Sequence, residues 1–220
     1  MADQREMILA SACDLYLANG LDGFSMRKLA KEVGITAPAI YRHYDGREAV
    51  LADVVRHAHR TFIATIYRAL EAPTALERMI SAAQGYLDFA LEQQRWFMIM
   101  FSGPERLGMK SLPEDIDSMG CAIHQFWMDR VTECMRAGIL KEGDPTEISM
   151  TMWAHAHGMV QLFHQGSLGT DPGRCWELFR ESGVRMWIGF ASREFAEQLS
   201  EGGPGVSIGF GSSIELQSSS

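Results

Sequence analysis

The stretch FSMRKLAKEVGITAPAIYRHY, residues 24–44, decides the fold. Ser25 suits a helix N-cap, because its hydroxyl can accept a bond from a free N–H of the first turn. Phe24 before it and Leu29 inside the helix form the apolar pair that staples such a start. The same signature recurs with Thr36 as cap, flanked by Ile35 and Ile40. Between the two, Gly34 supplies the residue tolerant of positive φ that a tight turn needs. Two short capped helices joined by three or four residues including a glycine form a helix-turn-helix. Ile40 is expected to point inward with Leu29, Ala30 and Val33, Ala30 being small where the helices approach closely.

The outward face of the second short helix then carries Thr36, Ala37, Pro38, Tyr41, Arg42 and His43. A helix fits the major groove of DNA when such a face reaches phosphates and base edges. Arg42 can pair bidentately with guanine, while Tyr41, Ala37 and Pro38 can touch thymine methyls or the sugar-phosphate edge. Thr36, Tyr44, Arg27 and Arg47 are expected on phosphates; Arg47 also lies at a helix start, whose free N–H groups favour an anion. The residues alone leave a second reading open, a helical core hairpin with a solvated basic face.

Outward from this motif, helical periodicity dominates and strand alternation is nearly absent. Ile8, Ala12, Leu15 and Tyr16 make one stripe, stopped at Asn19-Gly20 in the way of a helix C-cap. Asp45 and Glu48 make a capping-box pattern for a helix from Asp45 to about Leu70, ended by Pro73. Further helices are expected over 74–93, 94–101, 113–138, 145–165 and 172–199, about nine in all. The breakers between them are Ser102-Gly103-Pro104, Gly143-Asp144-Pro145 and Gly166 through Pro172. The fold class is therefore all-α. A helix-turn-helix domain is expected over 1–50, a larger helical domain over 51–200, and a mobile tail over 201–220. In that tail Val206, Ile208 and Phe210 leave room for a short strand.

Composition sets the outer limits. With 46% hydrophobic and 22% charged residues over 220 positions, the chain has the balance of a globular protein with a sizeable core. No apolar run approaches the ~20 residues of a membrane helix, and charges at Asp3, Arg5, Glu6 and Asp14 interrupt any signal-peptide pattern. Cys13, Cys121, Cys134 and Cys175 are widely spaced and without a CxxC pair, as expected of reduced thiols in the cytoplasm. The net charge of −8 argues against a general nucleic-acid coat. Yet residues 1–60 are neutral overall, and within 25–44 four basic residues (Arg27, Lys28, Lys31, Arg42) face one acidic, Glu32.

Residues 5–55 resemble the N-terminal domain of the tetracycline-repressor (TetR) family of transcriptional regulators. The landmarks are Ile8, Ala12, Gly20, Ser25, Leu29, Ala30, Gly34, the run Ile40-Tyr41-Arg42-His43-Tyr44, and Arg47-Glu48 with Leu51. Arg47 stands where the family most often has lysine; either neutralises a phosphate. Further on, Trp153-Ala-His-Ala-His-Gly158 with Gln161-Leu162 resembles the tryptophan-histidine-glycine signature of one class of C-terminal domain. The resemblance implies a cytoplasmic, homodimeric transcription factor, a repressor released from a palindromic double-stranded DNA operator by a small, largely apolar effector. It also assigns ligand binding and dimerisation to the domain over 51–200, and implies that the last two long helices pair with their twofold mates, with Gly158, Met159, Phe163, Phe179, Gly183, Met186 and Phe190 at the interface. Both helices are apolar on two sides, which calls for burial on two sides. A monomer with those helices in its core is the competing explanation.

Methionines and aromatics at 96–101 and 123–127, adaptable and bulky respectively, suit a pocket for an apolar molecule. The expected lining is Phe97, Phe101, Ile123, His124, Trp127, Met152 and His155, although the same residues could be plain core. His157 and His164 share a helix face, as do Cys121 and His124, but neither pair completes a tetrahedral metal site. Gly205-Val-Ser207-Ile-Gly209 matches the hydrolase nucleophile elbow with no helix or histidine after it, and is taken as chance. No catalytic residue, metal or cofactor is expected. The alternative function is a helical small-molecule-binding protein or enzyme whose helix-turn-helix is structural.

Overall fold

The computed structural model describes residues 4–200, with side chains described through 197; the tail expected over 201–220, with its elbow-like pattern, lies outside them. The described chain is helical, in the order α1 Gln4–Gly23, α2 Met26–Val33, α3 Ala37–Tyr41, α4 Arg47–Tyr67, α5 Ala75–Glu92, α6 Gln94–Met100, α7 Glu114–Arg136, α8 Pro145–His164, α9 Pro172–Phe190 and α10 Arg193–Ser200. Short 3-10 turns occupy Arg68–Glu71 and Pro104–Leu107. None of these helices is long and apolar enough to cross a membrane.

Two compact units emerge. One combines the chain up to Ala64 with Glu92–Ile123; the other combines Thr65–Leu91 with the chain from His124 onward. The first extends well past residue 50, and the reason is α6. It packs on α1, the Cys13 thiol reaches Arg95 O (3.5 Å), Arg95 pairs with Asp14 (2.9 Å), and Tyr16 Oη donates to Arg106 O (2.9 Å). These bonds make the segment around 95–106 part of the small unit's core rather than of the larger body. Burial pushes the thiols of Cys13 and Cys134 up to about 12, which leaves both protonated and unreactive at neutral pH.

Several helix ends differ from the sequence expectation for local reasons. Gly20 adopts φ 63°, but α1 continues past the kink to Gly23. Helix α4 starts at Arg47 rather than Asp45, its first turn closing from Val50 N to Gly46 O at 3.2 Å. A reciprocal capping box stands instead before α5: Thr74 N donates to Glu77 Oε2 (3.0 Å) and Glu77 N to Thr74 Oγ1 (3.2 Å). The largest difference is at 172–199, expected as one helix and found as two, making ten helices among the described residues instead of nine. Ala191 turns extended (ψ 145°), Lys141 N donates to Phe190 O (3.0 Å) and Ser192 N to Ile139 O (2.9 Å). Ser192 then caps the new helix, its hydroxyl accepting from Phe195 N (3.1 Å). The short strand-like pairing with 139–141 satisfies the backbone groups that the break frees.

In the second unit Met79, Val131, Cys134, Leu140, Ile148 and Trp187 form the core, with Met152, Met186 and Phe190 packed against it. Helices α8 and α9 pack on each other there.

Candidate nucleic-acid interface

The helix-turn-helix forms as its capping chemistry requires. Ser25 Oγ accepts from Lys28 N (3.2 Å) at the start of α2. At its end Gly34 takes φ 74°, so that Gly34 N reaches Lys31 O (3.2 Å) and Ile35 N reaches Ala30 O (2.9 Å), the pattern of a Schellman turn. Helix α3 follows at once, Thr36 capping it by backbone geometry alone, with Pro38 where no N–H is needed. Leu29, Ala30 and Ile40 are buried, Ile40 completely; Val33 is only half-buried.

That anchoring fixes which side of α3 meets solvent. Thr36, Pro38, Tyr41, Arg42 and His43 are exposed, Ala37 half so, and the Tyr41 ring is 52% exposed although large and aromatic. Arg27 on α2 and Arg47 at the start of α4 are exposed as well. Among the described residues none of Arg27, Arg42 and Arg47 pairs with a carboxylate, whereas Arg5, Arg56, Arg95 and Arg130 all do. Exposed guanidinium groups without carboxylate partners, and an exposed aromatic on the same helix-turn-helix, are what phosphate and base contact require.

Tyr44 departs from the expected set. It is buried, and its hydroxyl donates to Asp53 Oδ2 at 2.8 Å, so it anchors the end of the reading helix instead of offering itself to a phosphate. Burial, then the Asp53 bond, push the phenol well above its usual range. Asp53 is 7% exposed and also accepts from Arg5 Nη2 (2.7 and 2.9 Å) and Arg56 Nη1 (3.1 Å). Arg56 in turn forks onto Asp115, holding that carboxyl below its usual range and raising the guanidinium. Asp53 is the acid in the otherwise apolar run Ala49–Val55, and that interruption was its sequence signal.

The second unit holds a cavity of about 50 Å³. Met79, Ile80, Ala83 and Tyr86 of α5 form one wall and Trp127 and Val131 of α7 another. Helix α8 adds Ser149, Met152, Trp153, His155 and Ala156, and α9 adds Phe179, Gly183, Met186 and Trp187. Trp127, Met152 and His155 were expected here. Phe97 is fully buried and the Phe101 ring lies against it, tilted by 58° with centroids 4.9 Å apart, in the first unit, and neither they, Ile123 nor His124 line the cavity. Three residues expected at a dimer interface, Phe179, Gly183 and Met186, line it instead, and Phe190 packs on the core. Gly158, Met159 and Phe163 are half-buried on α8. The exposed apolar side of α8 runs through Met150, Ala154 and Leu162, beside Gly158, and on α9 Ile188 is 52% exposed. His157 hydrogen-bonds Tyr86 (3.0 Å) and Gln161 (3.2 Å), and His164 bonds Ala90 O (3.1 Å).

A capped helix-turn-helix with an unpaired basic face, carried in one chain with a second helical unit, is the arrangement of a helix-turn-helix regulator. Two family models match: "Bacterial regulatory proteins, tetR family" over residues 8–54 and "Tetracyclin repressor-like, C-terminal domain" over 79–182, together more than half of the chain. The chain belongs to the tetR family. It is 24% identical over 93 residues to the uncharacterized HTH-type transcriptional regulator YobS of Bacillus subtilis, a match covering 42% of this chain and 49% of that one. It is 31% identical over 64 residues to the class C tetracycline repressor of Escherichia coli, covering 26% and 29%. The chain thus spans about half the length of the first of these relatives and under a third of the second. A solved structure of a protein of unknown function from Rhodococcus sp. RHA1 shares 26% identity, with a TM-score of 0.72 over 87% of this chain and 97% of that one.

Proposed function

We propose that the chain is a DNA-binding transcriptional repressor, acting in the cytoplasm as a homodimer released from a palindromic operator by a small, largely apolar effector. The observation that carries this is the solvent face of α3. Tyr41 stands exposed beside Arg42, with Arg27 and Arg47 free of carboxylate partners, on a rod locked from behind by Ile40 and Tyr44. Arg42 and Tyr41 read bases, with Ala37, Pro38 and His43 against the groove wall; Thr36, Arg27 and Arg47 hold phosphates. Two such heads meet successive major grooves about 34–36 Å apart. The acidic remainder of the chain, which carries the whole net charge of −8, confines contact to this patch.

Dimerisation uses the side of α8 marked by Met150, Ala154 and Leu162, with Gly158, Met159 and Phe163 alongside and Ile188 from α9. A Cβ on Gly158 would meet nothing within 4 Å, so a partner helix has room to approach there. The effector occupies the cavity of the second unit. Effector and operator then weaken each other's binding by one common factor, typically 1–3 kcal/mol. Helices α4 and α7, whose residues fall in both units, are continuous covalent paths for that coupling.

Selection from a random duplex pool followed by gel shift tests the reading. Enrichment of an inverted repeat with half-sites about one helical turn apart is expected. Uniform, weak, sequence-blind binding would favour the alternative of a helical ligand-binding protein with a structural helix-turn-helix.

A further inference from the structure

The cavity in the second unit has a recognisable hydrogen-bonding code. None of its described lining residues is Asp, Glu, Lys or Arg, so no charge is available to compensate a buried ionic ligand. Two buried polar atoms of its lining residues have no hydrogen-bond partner: Trp127 Nε1 and His155 Nδ1. An indole nitrogen only donates. The histidine role follows from its neighbour. Ser182 Oγ gives its proton to Leu178 O or Phe179 O, both backbone carbonyls, so at 2.9 Å from His155 Nε2 it must accept. Nε2 therefore carries the hydrogen of the neutral ring, leaving Nδ1 as a bare acceptor. Burial holds this histidine below its usual range, in keeping with the neutral form.

Accordingly, we infer that the cavity takes a compact, uncharged, mainly apolar molecule bearing one group that both accepts and donates a hydrogen bond, as a phenol or alcohol does. The hydroxyl oxygen accepts from Trp127 Nε1 and its proton goes to His155 Nδ1. About 50 Å³ holds a few water-sized groups, roughly a third of the ~150 Å³ of a cavity that takes up benzene, so a ring enters only if the walls give way. The flexible side chains of Met79, Met152 and Met186 in the walls let a ring enter by shifting. Carboxylates and cations are excluded, since the cavity offers neither a counter-charge nor a donor pair for them. This deepens, and rests on, the effector reading above.

The test uses the full chain and three probes titrated by calorimetry: p-cresol, 4-methylanisole, which has lost the donor, and 4-methylbenzoate, which is charged. p-Cresol is expected to bind about tenfold more tightly than either of the others. Trp127→Phe is expected to weaken p-cresol about tenfold. His155→Leu is expected to weaken p-cresol by a similar factor and to leave 4-methylanisole unchanged, because that probe has no proton to offer Nδ1. Equal binding of p-cresol and 4-methylanisole to the unaltered protein, preference for 4-methylbenzoate, or no binding of any probe overturns the inference without recourse to a variant. Gel shifts with a selected duplex, run on the same preparations, separate the two readings. Duplex binding with the wrong probe order removes only the ligand class, whereas absence of any selected duplex removes the regulator.

Discussion

Replacing Asp53 by Asn tests whether the reading helix is held from behind by a carboxylate. The substitution keeps shape and removes charge. Oδ1 of Asp53 accepts from Arg5 (2.7 Å) and Arg56 (3.1 Å), and Oδ2 from Arg5 (2.9 Å) and Tyr44 (2.8 Å). An asparagine can keep only one of these two oxygens; its NH2 group must face donors on the other side. Breaking a buried ion pair by removing one partner costs about 3–5 kcal/mol. Arg5 is half-exposed and screened by water, which brings the expected cost nearer 2–3 kcal/mol. For a chain of this size that lowers the thermal midpoint by roughly 5–10 °C. Operator affinity falls with it, because Tyr44 ends the segment that α3 begins. A double-mutant cycle with Tyr44→Phe isolates the shared bond, and the two losses are expected to fall short of additivity by about 1 kcal/mol. Midpoints come from circular dichroism and affinities from gel shifts. Additive losses, or an Asp53→Asn midpoint within about a degree of the parent protein, would refute the latch.

Arg42→Ala is expected to cost about 1–3 kcal/mol of operator affinity and to relax base preference at one position, while Arg47→Ala weakens all duplexes alike and flattens the salt slope by about one phosphate; equal losses with unchanged preference would make Arg42 a phosphate contact too. Leu162→Asp, at a 43% exposed site, is expected to convert dimer to monomer in sedimentation while changing monomer stability by no more than about 0.5 kcal/mol; an unchanged mass removes the α8 face as the interface. His57, His59, His155, His157 and His164 are all lowered, first by burial. The unfolded chain then binds more protons than the folded one once the pH drops below the unfolded value near 6.5, so stability is full above it and declines progressively toward the lower folded values. Thermal midpoints are expected to fall between pH 7.5 and 5 in moderate salt; a flat profile counts against these assignments.

Local chemistry was legible where it acts within a few residues. Ser25, Gly34 and the apolar spacing of Leu29 and Ile40 specify the helix-turn-helix by themselves, and the exposed side of α3 follows from the same spacing. Long-range chemistry was not. Tyr44 follows three exposed residues, Tyr41, Arg42 and His43, that mark a solvent face, and only the fold brings Asp53 under its hydroxyl. The break at Ala191 depends on Ile139 and Lys141, some fifty residues away. Helix α8 shows the limit of periodicity most clearly. Its apolar residues at helical spacing were visible, but the two stripes they suggested, one through Met152, His155, Met159 and Leu162 and one through Trp153, Ala156, Val160 and Phe163, are not the two sides found. Which side meets the cavity and which is left to solvent is a tertiary fact. Met152, His155 and Ala156 took the cavity, and Met150, Ala154 and Leu162 the open side.

The brevity of α3 explains why distant residues matter to the groove-facing ones. Five residues are far below the length at which a helix persists alone, since nucleation fixes several dihedrals for one hydrogen bond. Its geometry must be imposed from outside. The Schellman turn at Gly34 sets the entry angle, and full burial of Ile40, worth about 1.5–3 kcal/mol, fixes the rotation. The Tyr44–Asp53 bond fixes the exit. Remove any one of the three and Tyr41 and Arg42 remain exposed but lose their shared orientation, which is what base readout consumes; phosphate contacts by long, flexible arginines tolerate it. Core substitutions such as Ile40→Ala should therefore erode sequence preference before they erode non-specific binding. Measuring both on one selected and one scrambled duplex decides the matter: parallel losses would mean that α3 holds its shape without that support.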